Sequence, residues 1–214
     1  MTDSAAPGLF LVLEGGDGAG KSTQMGMLAD WLEQRGLDVV RTHEPGGSPI
    51  GAEVRRILLS PEGHSPSSRT EALLYAAERA EHVASVVRPA LRRGAVVVCD
   101  RYIDSSVAYQ GVGRGLGAQT IEQISMWATD GLVPHLTVLL DVDPQRALAR
   151  SDDPADRLES EPLNFHTRVR HAFLDLAARA PRRYTVVDAS RSPAEVHRDV
   201  IAAVEPLLGT QAAP

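Results

Sequence analysis

The chain has 214 residues, 43% of them hydrophobic and 23% charged, with a formal net charge of −6. A chain of this length buries roughly 70% of its unfolded surface, so one sizeable core is expected, and the acidic balance argues against a nucleic-acid polymer or an anionic membrane as the main partner. No apolar stretch approaches the ~20 residues that cross a bilayer, the polar start MTDSAAPG lacks the regions of a signal peptide, and the single cysteine, Cys99, excludes an intramolecular disulfide or a cysteine-rich metal site.

LFLVLE (9–14) reads as a buried strand, and residues 1–8 before it as a disordered tail. A helix follows from Lys21 to about Arg35, with Met25, Leu28, Ala29 and Leu32 on one face and Gly36 as its stop. LDVVRTH (37–43) is a second strand, EPGGSP (44–49) a turn, and Ile50 to about Leu59 a short helix. After the loop PEGHSPSS, a long helix is expected from about Arg69 to Arg93, carrying Leu73, Leu74, Ala77, Ala84 and Val87, with Pro89 a point of kinking. AVVVCD (95–100) is the strongest strand, an apolar run ending in an acid. Helical patterns then occupy 104–110 and 118–130, LTVLLDV (136–142) is a strand, and Pro144 to Arg150 starts a helix. SDDPADRLESEP (151–162) is acidic and rich in breakers; a helix from Leu163 to Arg179, a strand YTVVDA (184–189) and a helix over 193–208 complete the chain. Five strands separated by helices predict an α/β fold, a five-stranded parallel sheet with helices on both faces. No linker or internal repeat divides it, so residues 1–214 read as one domain.

GGDGAGKST fits the spacing Gly15-x-x-x-x-Gly20-Lys21-Ser22 and sits between a predicted strand and a predicted helix, the context that a phosphate-binding loop of the P-loop NTPase fold requires. Glycines let backbone N–H groups converge on phosphate oxygens, and the helix start adds its dipole. Residues Gly15, Gly16, Asp17, Gly18, Ala19, Gly20, Lys21, Ser22 and Thr23 are therefore the expected ATP cradle, with Lys21 on the β- and γ-phosphates and Ser22 on Mg²⁺. Of the 22 basic residues, 21 are arginine and the one lysine is Lys21, where a compact ammonium suits the chemistry better than a planar fork. The only asparagine, Asn164, is followed by Phe165, so the base-reading NKxD of a GTPase is absent. A small kinase with a small acceptor fits the length.

Three further stretches, HEPGGSPIGAEVRRILL (43–59), LLYAAERAEHV (73–83) and VVVCDRYIDSSVAYQGVGRG (96–115), together with the loop and DRLE (156–159), resemble the thymidylate kinase family over about residues 8–208. The resemblance implies transfer of the ATP γ-phosphoryl group to dTMP and a homodimer, while the single cysteine and the lack of a signal segment point to the cytoplasm. Asp100, ending a strand where α/β ligands bind, is placed to hold a Mg²⁺-bound water. Arg101 offers a planar fork for a monophosphate, and Arg55 and Arg79 could join it. By resemblance, Tyr75 takes the place of the aromatic that stacks on thymine, where phenylalanine is usual. Ser106 and Gln110 match positions that hydrogen-bond the base, and Tyr109 the residue whose ring crowds the sugar 2′ position. Asp17 matches the acid that approaches the acceptor, and Glu44 and Pro45 match residues lining its pocket. Cys99 reads as a small buried hydrophobe.

The chain departs from the family at one point. Some members carry a catalytic arginine in the loop where this chain has Gly18, and others supply arginines from a mobile lid. The lid candidate here is 151–162, with Arg157 expected to be catalytic and Arg150 to stack on adenine. A salt bridge of Arg157 to Asp153 or Glu161 is the alternative. A deoxynucleoside kinase, another nucleoside monophosphate kinase, or a nucleotide-binding regulator that has lost turnover are the competing readings. The arginines at 55, 79 and 101 favour an anionic acceptor, which needs no base to activate it.

Overall fold

In the computed structural model, which describes residues 8–60, 66–149 and 156–209, the sheet is built on β1 (Leu9–Glu14), whose six residues are all buried. A strand enclosed on both faces reads as a continuous apolar run, and LFLVL supplies one. The other strands are β2 (Val39–His43), β3 (Val96–Asp100), β4 (Leu136–Asp141) and β5 (Tyr184–Asp188), all parallel, in the order β2-β3-β1-β4-β5. Each matches an expected strand to within two residues at either end. The expected tail at 1–8 falls almost wholly outside the described residues, as do Arg150, Asp153 and the first half of the expected lid.

Helices α1 (Lys21–Glu33) and α9 (Pro193–Leu208) cover one face, packing on Leu9, Leu11, Leu13, Val96 and Val98. The alternate residues Phe10, Val12, Val97 and Cys99 face the other way, against Ala72, Val83 and Val87 of the long helical stretch and Ile103, Val107 and Ile121 beyond it. That stretch runs as α3 (Ser68–His82), a wider π-helical turn over Val83–Val87, and α4 (Arg88–Arg92). Pro89 has no N–H to give to the preceding turn, and the N–H of Arg88 reaches Val83 O, five residues back. The expected kink is thus an extra residue in the turn. A second π-helical segment, Val107–Gly113, extends α5 (Ile103–Ser106) beyond the expected end at 110. The remaining helices are α2 (Pro49–Leu59), α6 (Ala118–Ala128), α7 (Pro144–Leu148) and α8 (Leu163–Arg179).

The face of α3 differs from expectation. Leu73, Ala77 and Ala84 are exposed, while Glu71, Tyr75, Glu78, Arg79 and His82 are buried. These polar groups turn inward because partners meet them there: Gln110, Arg114 and Arg157 on Glu71, and Glu44 on Arg79 and His82. Buried polar groups are tolerated when hydrogen-bonded.

A third apolar cluster joins α8 to the sheet and backs the ligand side of the fold: Phe165 and Phe173 meet Tyr109 edge-on, at ring-centroid distances of 6.1 and 6.2 Å. Removing the fully buried Phe173 ring by Phe173→Ala is expected to cost about 3–5 kcal/mol in urea unfolding. A loss below about 1 kcal/mol would contradict the role of this cluster.

Candidate active site

The parallel sheet places the site. The connection leaving β1 runs to β2 and that leaving β3 runs to β4, so the chain diverges at the carboxyl ends of these adjacent strands, where ligands bind in open α/β folds. The loop after β1 is Gly15–Gly20. Gly15, Gly18 and Gly20 have φ of 144°, 71° and 89°, which side chains rarely adopt. A Cβ at Gly18 would lie 2.2 Å from the Ala147 carbonyl oxygen, so an arginine here would collide with α7. Lys21 curls back and donates to Gly16 O at 2.8 Å. Burial and the nearby Arg101 push its ammonium pKa down, against the pull of Asp100, Asp17 and Glu14.

At the end of β3, Ser22 Oγ donates to Asp100 Oδ2 at 3.1 Å, and Asp100 Oδ1 is buried without a hydrogen-bond partner. Successive strand residues point to opposite faces, yet Asp100 and Arg101 line the same cavity. The chain achieves this at Arg101, whose φ of 68° is left-handed and whose N–H is held by Leu13 O at 2.9 Å. The Arg101 guanidinium donates to Gly15 O and to Ser105 Oγ, both at 3.1 Å, and pairs closely with Asp17. Tyr109 OH donates to the other Asp17 oxygen at 2.7 Å. Burial would raise the Asp17 pKa, but Arg101, Lys21 and the Tyr109 hydroxyl outweigh it and hold the carboxyl below its usual range.

The cavity over these groups measures about 980 Å³. On the β2–β3 side it is lined by Glu44, Pro45, Arg55, Tyr75, Arg79, Ser106, Tyr109 and Gln110, which are the expected acceptor residues. Arg55 reaches Pro45 O at 2.8 Å. The Arg79 guanidinium is deeply engaged, donating to Glu44 Oε2 (2.7 Å), Ser125 Oγ (3.1 Å), Tyr102 O (3.1 Å) and Ser106 Oγ (3.0 Å). Four bonds from the five N–H groups of a guanidinium leave one. On the β4–β5 side the cavity continues past the loop to Ala189, Arg191, Pro193 and Val196, with Gln24 Nε2 donating to Pro193 O. Periodicity gave no hint of this end, since nothing in the spacing distinguishes it from a strand-to-helix turn.

Arg157 is placed elsewhere. It donates to Glu71 Oε2 at 2.6 Å and to Leu58 O at 3.0 Å, rather than pairing with Glu161. Glu161 takes Arg114 instead. Arg150 lies outside the described residues.

Several site residues carried no sequence signal of their own. Glu14 is fully buried and accepts from the Tyr102 and Ser105 N–H groups and from Ser105 Oγ, so it braces the turn that presents Arg101. Burial beside the Asp104 carboxylate pushes it up to about 8 against those hydrogen bonds. Glu78 fixes the EPGG turn by accepting from Gly46 N–H at 2.8 Å, and its second oxygen is buried without a partner. His82 joins Glu44 to Thr42, at 2.9 and 2.6 Å. Only the four-three-four spacing of Glu71, Tyr75, Glu78 and His82 along one helix face could have exposed this layer.

A cavity that begins at a phosphate-cradling loop and continues into a pocket with its own guanidinium groups has room for a phosphate donor and an anionic acceptor end to end. That is the arrangement of a P-loop kinase for small acceptors. The family model for thymidylate kinase matches residues 13–200. A thymidylate kinase of Clavibacter michiganensis subsp. michiganensis is 58% identical over 192 residues, covering 88% of this chain and 90% of that protein. One from Cutibacterium acnes is 51% identical over 201 residues, covering 94% and 98%. The crystal structure of thymidylate kinase from Ehrlichia chaffeensis superposes with a TM-score of 0.78 at 33% identity, covering 92% of this chain and all of that one. The chain belongs to the thymidylate kinase family.

The unpaired Glu78 oxygen makes a pH prediction. Burial first, then the Glu44 carboxylate, raise Glu78 to about 7, against the Gly46 hydrogen bond, His82 and Arg79. An acid raised in the folded state gives stability that is complete below the unfolded value of 4.5 and is lost as pH climbs through about 7. Glu78→Gln keeps an acceptor for Gly46 and removes the titration. The variant should lose about 1–3 kcal/mol less stability than the native chain between pH 5 and 8, read from paired urea unfolding curves. Parallel pH profiles would contradict this.

Proposed function

We propose a division of labour for the reaction this chain catalyses, transfer of the γ-phosphoryl group of ATP to dTMP with release of dTDP and ADP. The carrying observation is that Arg101 faces Asp17 where the P-loop meets the pocket of Tyr75, Ser106 and Gln110. Residues Gly15–Thr23 cradle the donor phosphates, with Lys21 turning from Gly16 O to the β- and γ-oxygens. The donor base lies toward Arg191, Pro193 and Val196, because the acceptor half occupies the other side of the loop; Arg150 is the further residue proposed to cover it. On the acceptor side, Tyr75 stacks on thymine, Ser106, Gln110 and the remaining N–H of Arg79 meet its polar edge, and Tyr109 stands against the deoxyribose. Glu44, Pro45 and Arg55 close the pocket.

Mg²⁺ fits the pair formed by the Ser22 hydroxyl and the unpartnered Asp100 oxygen. Two protein oxygens suit an ion carried mainly by phosphate and water. When bound, it neutralises charge on the donor phosphates. The chain's own task is positioning and charge stabilisation, since phosphoryl transfer has a loose transition state. An acceptor phosphate oxygen attacks the γ-phosphorus, the bond to the β-bridging oxygen breaks, and the electron pair leaves on ADP. Arg101 holds the acceptor phosphate in line, Asp17 orients Arg101 and the acceptor, and Arg157, exchanging Glu71 for the transferring group, completes the neutralisation.

The whole chain acts as one kinase domain, with 151–162 as its lid, in the cytoplasm. Among the described residues no helix is long and apolar enough to cross a membrane. A homodimer is supported by apolar side chains left outside on neighbouring helices, Leu73 on α3 (59% exposed) and Trp127 on α6 (83%).

ADP release measured with each acceptor in turn tests the assignment. dTMP should be best, dUMP slower by about 10–200-fold for its missing methyl, and thymidine inert. Turnover of thymidine in place of dTMP would discard the Arg101 role and move the chain to the nucleoside kinases.

A further inference from the structure

We propose that Glu71 sets the base specificity of the acceptor pocket by fixing which end of the Gln110 amide faces the cavity. The proposal rests on the reading above that the acceptor base meets Gln110. Glu71 is fully buried at the start of α3 and makes no contact with substrate in that reading. Its Oε1 accepts from Gln110 Nε2 at 2.8 Å and from Arg114 Nε at 3.3 Å; its Oε2 accepts from Arg157 at 2.6 Å and from Arg114 at 3.4 Å. A carboxylate serving two guanidiniums offers acceptors alone, whereas a glutamine amide has a donor end and an acceptor end. The Gln110 NH₂ must therefore turn to Glu71. Its carbonyl oxygen is left to the cavity that Gln110 lines.

One turn earlier on the same helical segment, Ser106 is polarised the opposite way. Its Oγ accepts from Arg79 at 3.0 Å, so its own hydrogen is available to give. The pocket edge thus presents a donor at Ser106 and an acceptor at Gln110. Thymine and uracil carry the complementary pair, a carbonyl O4 beside an N3–H. Cytosine carries the reverse, an amino group beside an unprotonated N3; the Ser106 hydroxyl can turn to accept from the amino group, but the N3 lone pair meets the lone pairs of the Gln110 carbonyl. A site built to hydrogen-bond one edge rejects the other strongly, because its buried polar groups are left unpaired. The discrimination is made at Gln110, but its sign is set by Glu71, which touches no substrate and is a positioning residue.

The isosteric variant Glu71→Gln reverses that sign. The shorter contact, to Arg157, keeps the carbonyl oxygen of the new amide. The NH₂ of that amide then faces Gln110, which must turn its own carbonyl inward to meet it. Dissociation constants for dTMP and dCMP, measured by titration calorimetry on the native protein and the variant, give the test. The native protein should bind dTMP far more tightly than dCMP, and E71Q should shrink the ratio at least tenfold. An effect on packing alone would weaken both acceptors together and leave the ratio where it was, and that result overturns the proposal. Native protein that binds neither nucleotide would instead contradict the acceptor assignment. A second measurement needs no Glu71 variant: the side-chain amide signals of Gln110 in ¹⁵N-labelled native protein, identified by their loss in Q110L. The hydrogen held by Glu71 should exchange slowly with water, with or without dTMP. Exchange as fast as a surface glutamine would show that the amide is not held and would equally overturn the proposal.

Discussion

The left-handed backbone at Arg101 is the constraint on which the site depends. A regular strand would send Asp100 and Arg101 to opposite sides of the sheet. With φ at 68°, both reach the cavity, one beside Ser22 and the other against Asp17. A non-glycine residue in this region carries strain, and the surroundings are built to hold it. The Arg101 N–H is tied to Leu13 O, Glu14 takes the next N–H and that of Ser105, and Cys99 donates to the Arg101 carbonyl. The guanidinium bonds to Gly15 O and Asp17 then tie the segment after β3 to the loop after β1.

Around that point lies a layer of ionisable side chains with almost no access to water: Glu14, Glu44, Glu71, Glu78, Arg79 and His82. Desolvating so many groups is costly unless each finds partners. The partners here are other groups that line the cavity or the turns that carry them. Glu44 anchors Arg79, which in turn polarises Ser106; Glu71 orients Gln110; Glu78 holds the turn at Gly46. The pocket wall is therefore rigid in its hydrogen-bond polarity as well as in its shape.

The sheet was legible because strands buried on both faces read as apolar runs, and LFLVL and VVVC are unmistakable ones. The phosphate loop was legible because its glycines and Lys21 have a fixed spacing. The face of α3 was not. Leu73 and Ala77 look like core residues, and Glu71, Glu78 and His82 look solvated, until tertiary partners from the β2 turn, from the segment after β3 and from Arg157 are known. Arg79 reads in the sequence only as a candidate for the acceptor phosphate; its bonds to Glu44, Ser125, Tyr102 and Ser106 emerge only in the fold. Gly18 reads in the sequence as part of the cradle and as the place of a missing arginine; the closeness of the Ala147 carbonyl shows that this loop has no space for one. Glu14 had no local signature at all, because its role consists of contacts made across 91 residues of chain.

The central claim is that Arg101 recognises the acceptor through its phosphate. The most direct measurement is a binding cycle: dissociation constants of dTMP and thymidine for the native protein and for Arg101→Gln. A charge-assisted contact to a guanidinium is worth about 1.5–3 kcal/mol, so dTMP should bind the native protein at least roughly tenfold more tightly than thymidine. The substitution should erase that gap while leaving thymidine affinity nearly unchanged. If the gap persists in the variant, the acceptor phosphate is held elsewhere and the account fails.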